Sequence, residues 1–274
     1  MSSFLRWAGS KRQLIPTLHT YWNNDFQTYH EPFLGSGSLL FSAQPSKATA
    51  NDLNEDLIQM YRAVRDSPDE VYLSVTSLEV SKEKYYEIRS QDPRHLNPVD
   101  IASRFIYLNR FCFNGIYRTN RSGKFNVPYS GNKTGSIPDL EIFHKASKQL
   151  RKTQLTSLDF EEVIMENIKE GDFFYLDPPY LSEGKRIFNE YGPEKFDDSD
   201  LSRLLNCIES INDAGAFFVF SFYKCPTLIK KLCNFKITTV ETRRTISSST
   251  SSRKKMHEII ITNIPANTKK ITGT

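Results

Sequence analysis

Asp177-Pro178-Pro179-Tyr180 carries more potential chemistry than any other stretch of this chain. It follows Phe173-Phe174-Tyr175-Leu176, an apolar run that reads as a buried strand, entered from Gly171-Asp172 and stopped by the two prolines. The acid therefore falls on the carboxyl edge of a sheet, where open α/β folds build their sites. The four residues offer an acidic acceptor, a carbonyl with no N–H on the next residue, a stiff turn and an aromatic face. Such a set suits a flat, amino-bearing ring held still for attack on an electrophile. A proline-rich strand exit with a helix-capping Asp would share the pattern, so the rest of the chain has to decide.

A second constellation lies upstream. Tyr29-His30-Glu31-Pro32-Phe33-Leu34-Gly35-Ser36-Gly37-Ser38 reads as a strand, a Gly-Ser-Gly turn and a helix start, a geometry that brings backbone against a nucleoside ligand. The third glycine of the dinucleotide fingerprint is missing, which disfavours NAD. About fifteen residues on, the strand Ala48-Thr49-Ala50-Asn51 ends at Asp52, an acid able to accept both hydroxyls of a ribose. A third short strand, Gln154 to Leu158, ends at Asp159-Phe160, an acceptor for an exocyclic amine beside an aromatic face. At the amino end, Trp7-Ala8-Gly9-Ser10-Lys11 allows close backbone approach at Gly9 and an aromatic wall at Trp7, or simply places a tryptophan in the core.

These elements need a sheet to hold them, and 274 residues suffice for a full α/β core with one inserted subdomain. With 38% apolar and 25% charged residues the composition is that of an ordinary globular protein. No apolar run approaches a bilayer span, and the start lacks the apolar core of a secretory signal. Cys112, Cys207, Cys225 and Cys233 show no metal-ligand spacing, so reduced core thiols, no metal and a cytoplasmic setting are expected. Net charge is only +4, but its placement is uneven. Ile101 to Pro138 has no Asp or Glu while holding Arg104, Arg110, Arg118, Arg121, Lys124 and Lys133. Thr242 to His257 is also acid-free and holds Arg243, Arg244, Arg253, Lys254 and Lys255. Two such zones suggest a one-sided footprint for a polyanion, although two solvated loops would look alike.

Helical spacing runs from Asp52 to Arg65, and further helices are expected at Gln13–Trp22, Val71–Val80, Lys84–Arg89 and Val99–Phe111. Phe113 to Tyr129 mixes aromatics with cations around the turn dipeptides Asn114-Gly115 and Ser122-Gly123, which predicts a basic β-hairpin able to enter a groove. Leu181 to Lys195 is polar and irregular, a candidate lid. Asp200 to Ala214 is an amphipathic helix, capped by Gly215 before the strand Ala216–Phe220. Ile237–Ile246 and His257–Asn263 read as a final strand pair joined by a Ser-rich basic loop suited to phosphates.

Taken together, Trp7 to Lys11, Glu31 to Gly37, Asn51-Asp52-Leu53-Asn54, the Phe113–Tyr129 hairpin, Asp177 to Tyr180 and Arg243-Arg244-Thr245-Ile246-Ser247-Ser248 resemble the Dam family of DNA adenine-N6 methyltransferases. The resemblance covers about residues 4–263, with every motif in family order. It implies an α/β fold, a Rossmann-like methyltransferase sheet with helices on both faces, formed by residues 1–57 and 151–274, and an inserted, mostly helical recognition subdomain at 58–150. It also implies S-adenosylmethionine as cofactor. Trp7, Ala8, Gly9 and Lys11 would help enclose it, Phe33, Gly35, Ser36 and Gly37 would line its loop, and Asp52 would hold the ribose. Asp159 and Phe160 would meet the cofactor adenine, and Asp177 would lie near both the methionine amino group and the target base. The catalytic set would be Asp177, Pro178, Pro179 and Tyr180, acting on an adenine flipped out of duplex DNA, within GATC or a related site. DNA contacts would come from Arg6, Asn114, Ile116, Arg118, Asn120, Arg121, Lys124 and Pro128, and from Arg243, Arg244, Ser247, Ser248, Arg253 and Lys254. Ser10 replaces a usual glycine, and Phe220-Ser221-Phe222 stands where Ser-Asn is common. A monomer without an obligate protein partner or membrane attachment is expected.

An N6-adenine methyltransferase acting on RNA is the nearest alternative. A protein glutamine methyltransferase would carry Asn in place of Asp177. A non-catalytic DNA-binding protein on the same scaffold would fail to bind the cofactor.

Overall fold

The computed structural model describes residues 4–7, 9–120, 122–131, 135–180, 196–243 and 255–265. A 3-10 turn at Arg12–Leu14 leads into α1 (Ile15–Leu18), strand β1 (Tyr29–Glu31), α2 (Ser38–Ala43) and β2 (Ala48–Asn51). Helices α3 (Glu55–Asp66), α4 (Pro68–Thr76), α5 (Lys82–Ser90), α6 (Pro98–Phe111) and α7 (Leu140–Leu150) follow before β3 (Thr153–Thr156). The chain continues through α8 (Phe160–Asn167), β4 (Phe173–Leu176), α9 (Asp198–Asp213), β5 (Phe217–Tyr223), α10 (Pro226–Lys231), β6 (Lys236–Arg243) and β7 (Lys255–Thr262).

The strands form one sheet in the order β3-β2-β1-β4-β5-β7-β6. The first five are parallel, and β7 runs antiparallel to both β5 and β6. From β1 the chain builds outward to β2 and β3, then returns to β4 and builds the other way. The order therefore reverses between β1 and β4, and the crevice at their carboxyl ends is where such sheets bind ligands. Glu31 ends β1 and Asp177 follows β4, so both fall there.

Period-two alternation assigns the two faces. Phe173, Tyr175, Val219 and Ile260 belong to the core under α2 to α7, while Phe174, Leu176, Phe218, Phe220, Ile259 and Ile261 pack under α8, α9 and α10. Asn54 caps α3 by accepting from Leu57 N–H, and Asp197 with Asp200 forms a reciprocal capping box on α9. Helix α3 packs against both α6 and α7, so the helical insertion shares the apolar core of the sheet. All four cysteines are free, but only Cys112 and Cys207 are buried; Cys225 is half-buried and Cys233 exposed, which corrects the expectation of four core thiols.

Three loops at the carboxyl edge are tied by one side chain. Buried Asn51 donates to the carbonyls of Pro32 (3.1 Å) and Leu158 (3.0 Å) and accepts from Thr156 Oγ1 and Leu158 N–H, both at 2.9 Å. It joins the loops after β1 and β3 to its own strand, just before Asp52. Asn51→Ala strands these groups in a buried place, and each unsatisfied one costs about 1–3 kcal/mol. We expect urea unfolding to report a loss of ~2–4 kcal/mol; a loss under ~1 kcal/mol would show the loops to be held by other contacts.

Candidate active site

One cavity of about 580 Å³ opens at the carboxyl ends of β1, β2 and β4, within the usual range for small-molecule sites. Its lining includes Trp7, Gly9, Lys11, Phe33, Gly35, Ser36, Asp52, Asp159, Phe160, Asp177, Pro178, Pro179 and Tyr180. Residues read from five separate stretches of sequence thus converge. Gly37 is not in this lining: it faces Phe41, whose ring leaves no room for a Cβ, and its left-handed backbone starts α2. Ala8 lies outside the described residues.

At the β4 end the floor is a charged network. Lys11, only 7% exposed, donates to Tyr180 Oη at 2.6 Å and places its ammonium 3.2 Å from Asp177 Oδ1 and 3.3 Å from Glu258 Oε2. Tyr180 in turn donates to Glu258 Oε1 at 3.0 Å. Ser221 Oγ also donates to Asp177 Oδ1 at 3.0 Å, backed by Tyr175 Oη at 3.3 Å. Both partners of the Asp177 carboxylate meet at Oδ1, and among the described residues no donor is placed on Oδ2.

Burial alone would lower the Lys11 pKa, but Asp177, Tyr180 and Glu258 outweigh it and drive it upward, so the lysine stays charged. Burial raises the Asp177 pKa and the charge of Glu258 adds to this, while Lys11 and Ser221 pull it down. Tyr180 rises through burial as well, which keeps it a neutral phenol. Its ring meets Phe222 and Tyr223 edge-on.

The β1–β2 end is built for close approach. Gly35 donates its N–H to Asp52 Oδ2 at 2.8 Å, and Asn54 N–H bonds Oδ1 at 3.0 Å. Gly35 has φ +48°, and a Cβ there would lie 2.8 Å from the Trp7 indole nitrogen, so glycine is required twice over. At the far end, Asp159 accepts from Glu161 N–H and is paired with Arg203. The Arg203 guanidinium sits 4.8 Å over the Phe160 ring, which also meets Phe33 at 5.2 Å and Phe196 at 6.1 Å. A purine reaches the covered face of Phe160 only by displacing that guanidinium.

The hairpin is attached to the cavity wall. Trp7 stacks on Tyr117 (6.0 Å, 24°), and Tyr117 Oη donates to Asp56 at 2.6 Å. Asn114 and Gly115 both take left-handed backbone and turn the chain out of α6, with Ile116 N–H bonded to Phe113 O. The hairpin itself turns at Asn120 to Lys124, where Asn120 Oδ1 accepts from the N–H groups of Ser122 and Lys124. Its pairing is limited to single bridges at Thr119–Phe125 and Cys112–Tyr129. Phe113, Asn114, Lys124 and Pro128 are exposed, and half-buried Arg118 is oriented by Asn126 Oδ1 at 2.7 Å. Ile116 is only 6% exposed and packs in the core, so the structure does not bring it to the surface. Arg6 is anchored through Asn109 and the Arg110 carbonyl. Arg104, expected in the basic footprint, is internal and donates to the carbonyls of Ile88 and Arg89. Arg243 enters as backbone of β6; Arg121, Arg244, Ser247, Ser248, Arg253 and Lys254 lie outside the described residues, as does the lid expected at 181–195.

Glu258, Ser221, Arg203, Asn51 and exposed Phe113 were not singled out by residue type or spacing. Glu258 sits in a strand already assigned as structural, and only the antiparallel placement of β7 brings it to Asp177.

Glu31 is a further buried acid on the cavity wall, hydrogen-bonded by Tyr29 Oη at 2.8 Å. Burial, opposed by that bond and helped by Asp177, pushes its pKa up to about 8. Unfolded, it ionises in the ordinary carboxylate range, so its contribution to stability is full below that range and fades as pH rises toward 8. Glu31→Gln should melt near the wild-type temperature at about pH 5 and progressively above it up to about pH 8. Thermal scans across that range check this, and a gap independent of pH would contradict it.

Residues 7–246 match the family model described as D12 class N6 adenine-specific DNA methyltransferase. The chain is 37% identical to the type II methyltransferase M1.LlaDCHI of Lactococcus lactis subsp. cremoris, over 95% of this chain and 94% of that one. It is 32% identical to the type II methyltransferase M.MjaIII of Methanocaldococcus jannaschii, over 95% and 98%. The DNA adenine methylase of Escherichia coli K12 is 28% identical, over 94% of each chain. With its Rossmann-like sheet and its Asp-Pro-Pro-Tyr turn at the switch point, the chain belongs to the D12 class of S-adenosylmethionine-dependent, N6 adenine-specific DNA methyltransferases.

Proposed function

We propose that Asp177 Oδ2 and the Pro178 carbonyl are the acceptors for the target adenine amine, at the mouth of a cavity shared with the cofactor. The observation that carries this is the one-sided Asp177 carboxylate, with Ser221 and Lys11 on Oδ1. The lining fits S-adenosylmethionine. Asp52, Glu55, Asp56, Asp159, Asp177 and Asp200 line the cavity against Lys11 and Arg203, a balance suited to a ligand with a sulfonium and an amino group. Trp7, Gly9, Lys11, Phe33, Gly35 and Ser36 would enclose it, Asp52 would receive the ribose hydroxyls, and Asp159 the exocyclic amine. When bound, the cofactor supplies an electrophilic methyl group.

Adenine N6 is a poor nucleophile because its lone pair is delocalised into the ring. Acceptors on both hydrogens favour a pyramidal nitrogen, and the Asp177 charge stabilises it as it becomes cationic, before its extra proton passes to solvent. The base must first leave the duplex, at a cost of a few kcal/mol, of which stacking on an aromatic such as Tyr180 returns ~1–3 kcal/mol. Exposed Phe113 is suited to wedge into the gap the base leaves.

For recognition, the helical insertion at 58–150 acts as the reading subdomain, with Arg118 at a guanine edge and GATC or a related site as target. Asn120 orders the turn that presents Lys124 to the backbone, and Arg6, Asn114 and Pro128 flank the base-reading face. Gly37 supports its loop, and Ile116 supports the hairpin from inside. The enzyme acts as a cytoplasmic monomer, and no helix of the described residues is long and apolar enough to cross a membrane.

Asp177→Ala should bind DNA yet lose methyl transfer to duplex DNA at saturating cofactor, read with a tritiated donor; substantial turnover would refute the assignment. The same assay on RNA separates the remaining substrate alternative. Arg118→Ala should relax the methylated sequence at one base pair, by ~1–3 kcal/mol of discrimination, read by mapping modified adenines. An unchanged site would move recognition off the hairpin.

A further inference from the structure

We propose that Glu258 is a positioning residue for methyl transfer, holding the Lys11 ammonium so that one oxygen of Asp177 stays free for the adenine amine. The inference rests on Asp177 being that acceptor. Strand alternation sets up the contact. Tyr175 pairs with Val219, Ser221 with Ile260 and Tyr223 with Glu258, so Tyr175, Asp177, Ser221 and Glu258 project from one face of three adjacent strands. Glu258 is 12% exposed, and its Oε2 is buried with no hydrogen-bond partner, facing the lysine at 3.3 Å.

An ammonium between two carboxylates behaves differently from one beside a single carboxylate. Alone with Asp177, Lys11 would close onto the carboxylate and neutralise the acceptor. With the Tyr180 hydroxyl accepting one N–H at 2.6 Å and the Glu258 carboxylate attracting the charge from 3.3 Å, its nearest approach to Asp177 is at Oδ1, 3.2 Å. Two carboxylates against one ammonium also leave the site net negative, where N6 becomes cationic.

Among the described residues, six groups face Asp177: Lys11 from the amino-terminal loop, Tyr180 from its own turn, Ser221 from β5, Glu258 from β7, and Glu31 and Tyr175 from β1 and β4. The charge of Glu258 raises the Asp177 pKa, so neutralising it lets Asp177 ionise at lower pH. Glu258→Gln therefore has two effects that a loosened fold would not combine. The plateau rate falls because Lys11 closes on Asp177, and the acid limb of the pH–rate profile moves to lower pH.

The test is single-turnover methyl transfer to duplex DNA by folded Glu258→Gln, measured from about pH 5 to pH 9. We expect the plateau rate to fall on the order of tenfold, KM for S-adenosylmethionine to stay within about twofold, and the acid limb to shift down. Glu258→Asp keeps the charge one methylene short, so it should leave the limb in place and lose a smaller part of the rate. A wild-type rate in either variant, or a loss uniform across pH in Glu258→Gln, overturns the inference. Asp177→Ala, which has no acceptor, run in parallel separates the two ideas. Activity surviving there removes the acceptor itself, whereas an inactive Asp177→Ala beside a wild-type-like Glu258→Gln removes only the role of Glu258.

Discussion

A lysine ammonium stays charged inside a protein only where anions replace its water, and Lys11 meets that condition through Asp177 and Glu258, with the Tyr180 hydroxyl as a neutral acceptor. These groups come from the amino-terminal loop, the turn after β4 and an antiparallel strand near the sheet edge. Removing any one would leave the others as buried charge, so the network demands that all three segments be in place together. It also leaves the second oxygen of Asp177 without a donor among the described residues.

The sheet supplies the rest of the geometry. Its order reverses between β1 and β4, so the glycine loop and the Asp-Pro-Pro-Tyr turn share a crevice. Asn51 ties the neighbouring loops to one another, and Asp52 holds the glycine loop through the Gly35 N–H. Trp7 then lies between that loop and Tyr117, whose hydroxyl reaches Asp56 at the start of α3. The hairpin therefore stands on the cofactor wall itself. One aromatic seam, Trp7 on Tyr117, joins the hairpin to the cavity.

Much of this was legible in residue order because strands stopped by glycine or proline have local signatures. Phe173–Leu176, Tyr29–Glu31 and Ala48–Asn51 fall where apolar runs and breakers put them, and the final strand pair lies within a residue or two of expectation at its described ends. The helix expected at Gln13–Trp22 is a single turn of α1, and α8 and α10, of eight and six residues, left too little periodicity to read. Asn114-Gly115 did form a left-handed turn, but at the exit of α6, while the hairpin turns at Asn120–Lys124. Charge counting along the chain placed Arg104 in a footprint that its burial removes it from. The partners of Asp177 were illegible for a different reason: Ser221 and Glu258 are 44 and 81 positions away, and their meeting depends on strand order alone.

The sheet, the glycine loop and the lysine network share one purpose if a flipped adenine and a sulfonium donor meet at the free oxygen of Asp177. A crystal structure of the enzyme with S-adenosylhomocysteine and a duplex carrying its methylation site would look at that point directly. The adenine amine is expected within hydrogen-bond reach of Asp177 Oδ2, with Lys11 still on Oδ1 and the cofactor sulfur facing the same nitrogen. A target base lodged elsewhere, or Lys11 moved onto Oδ2, would contradict it.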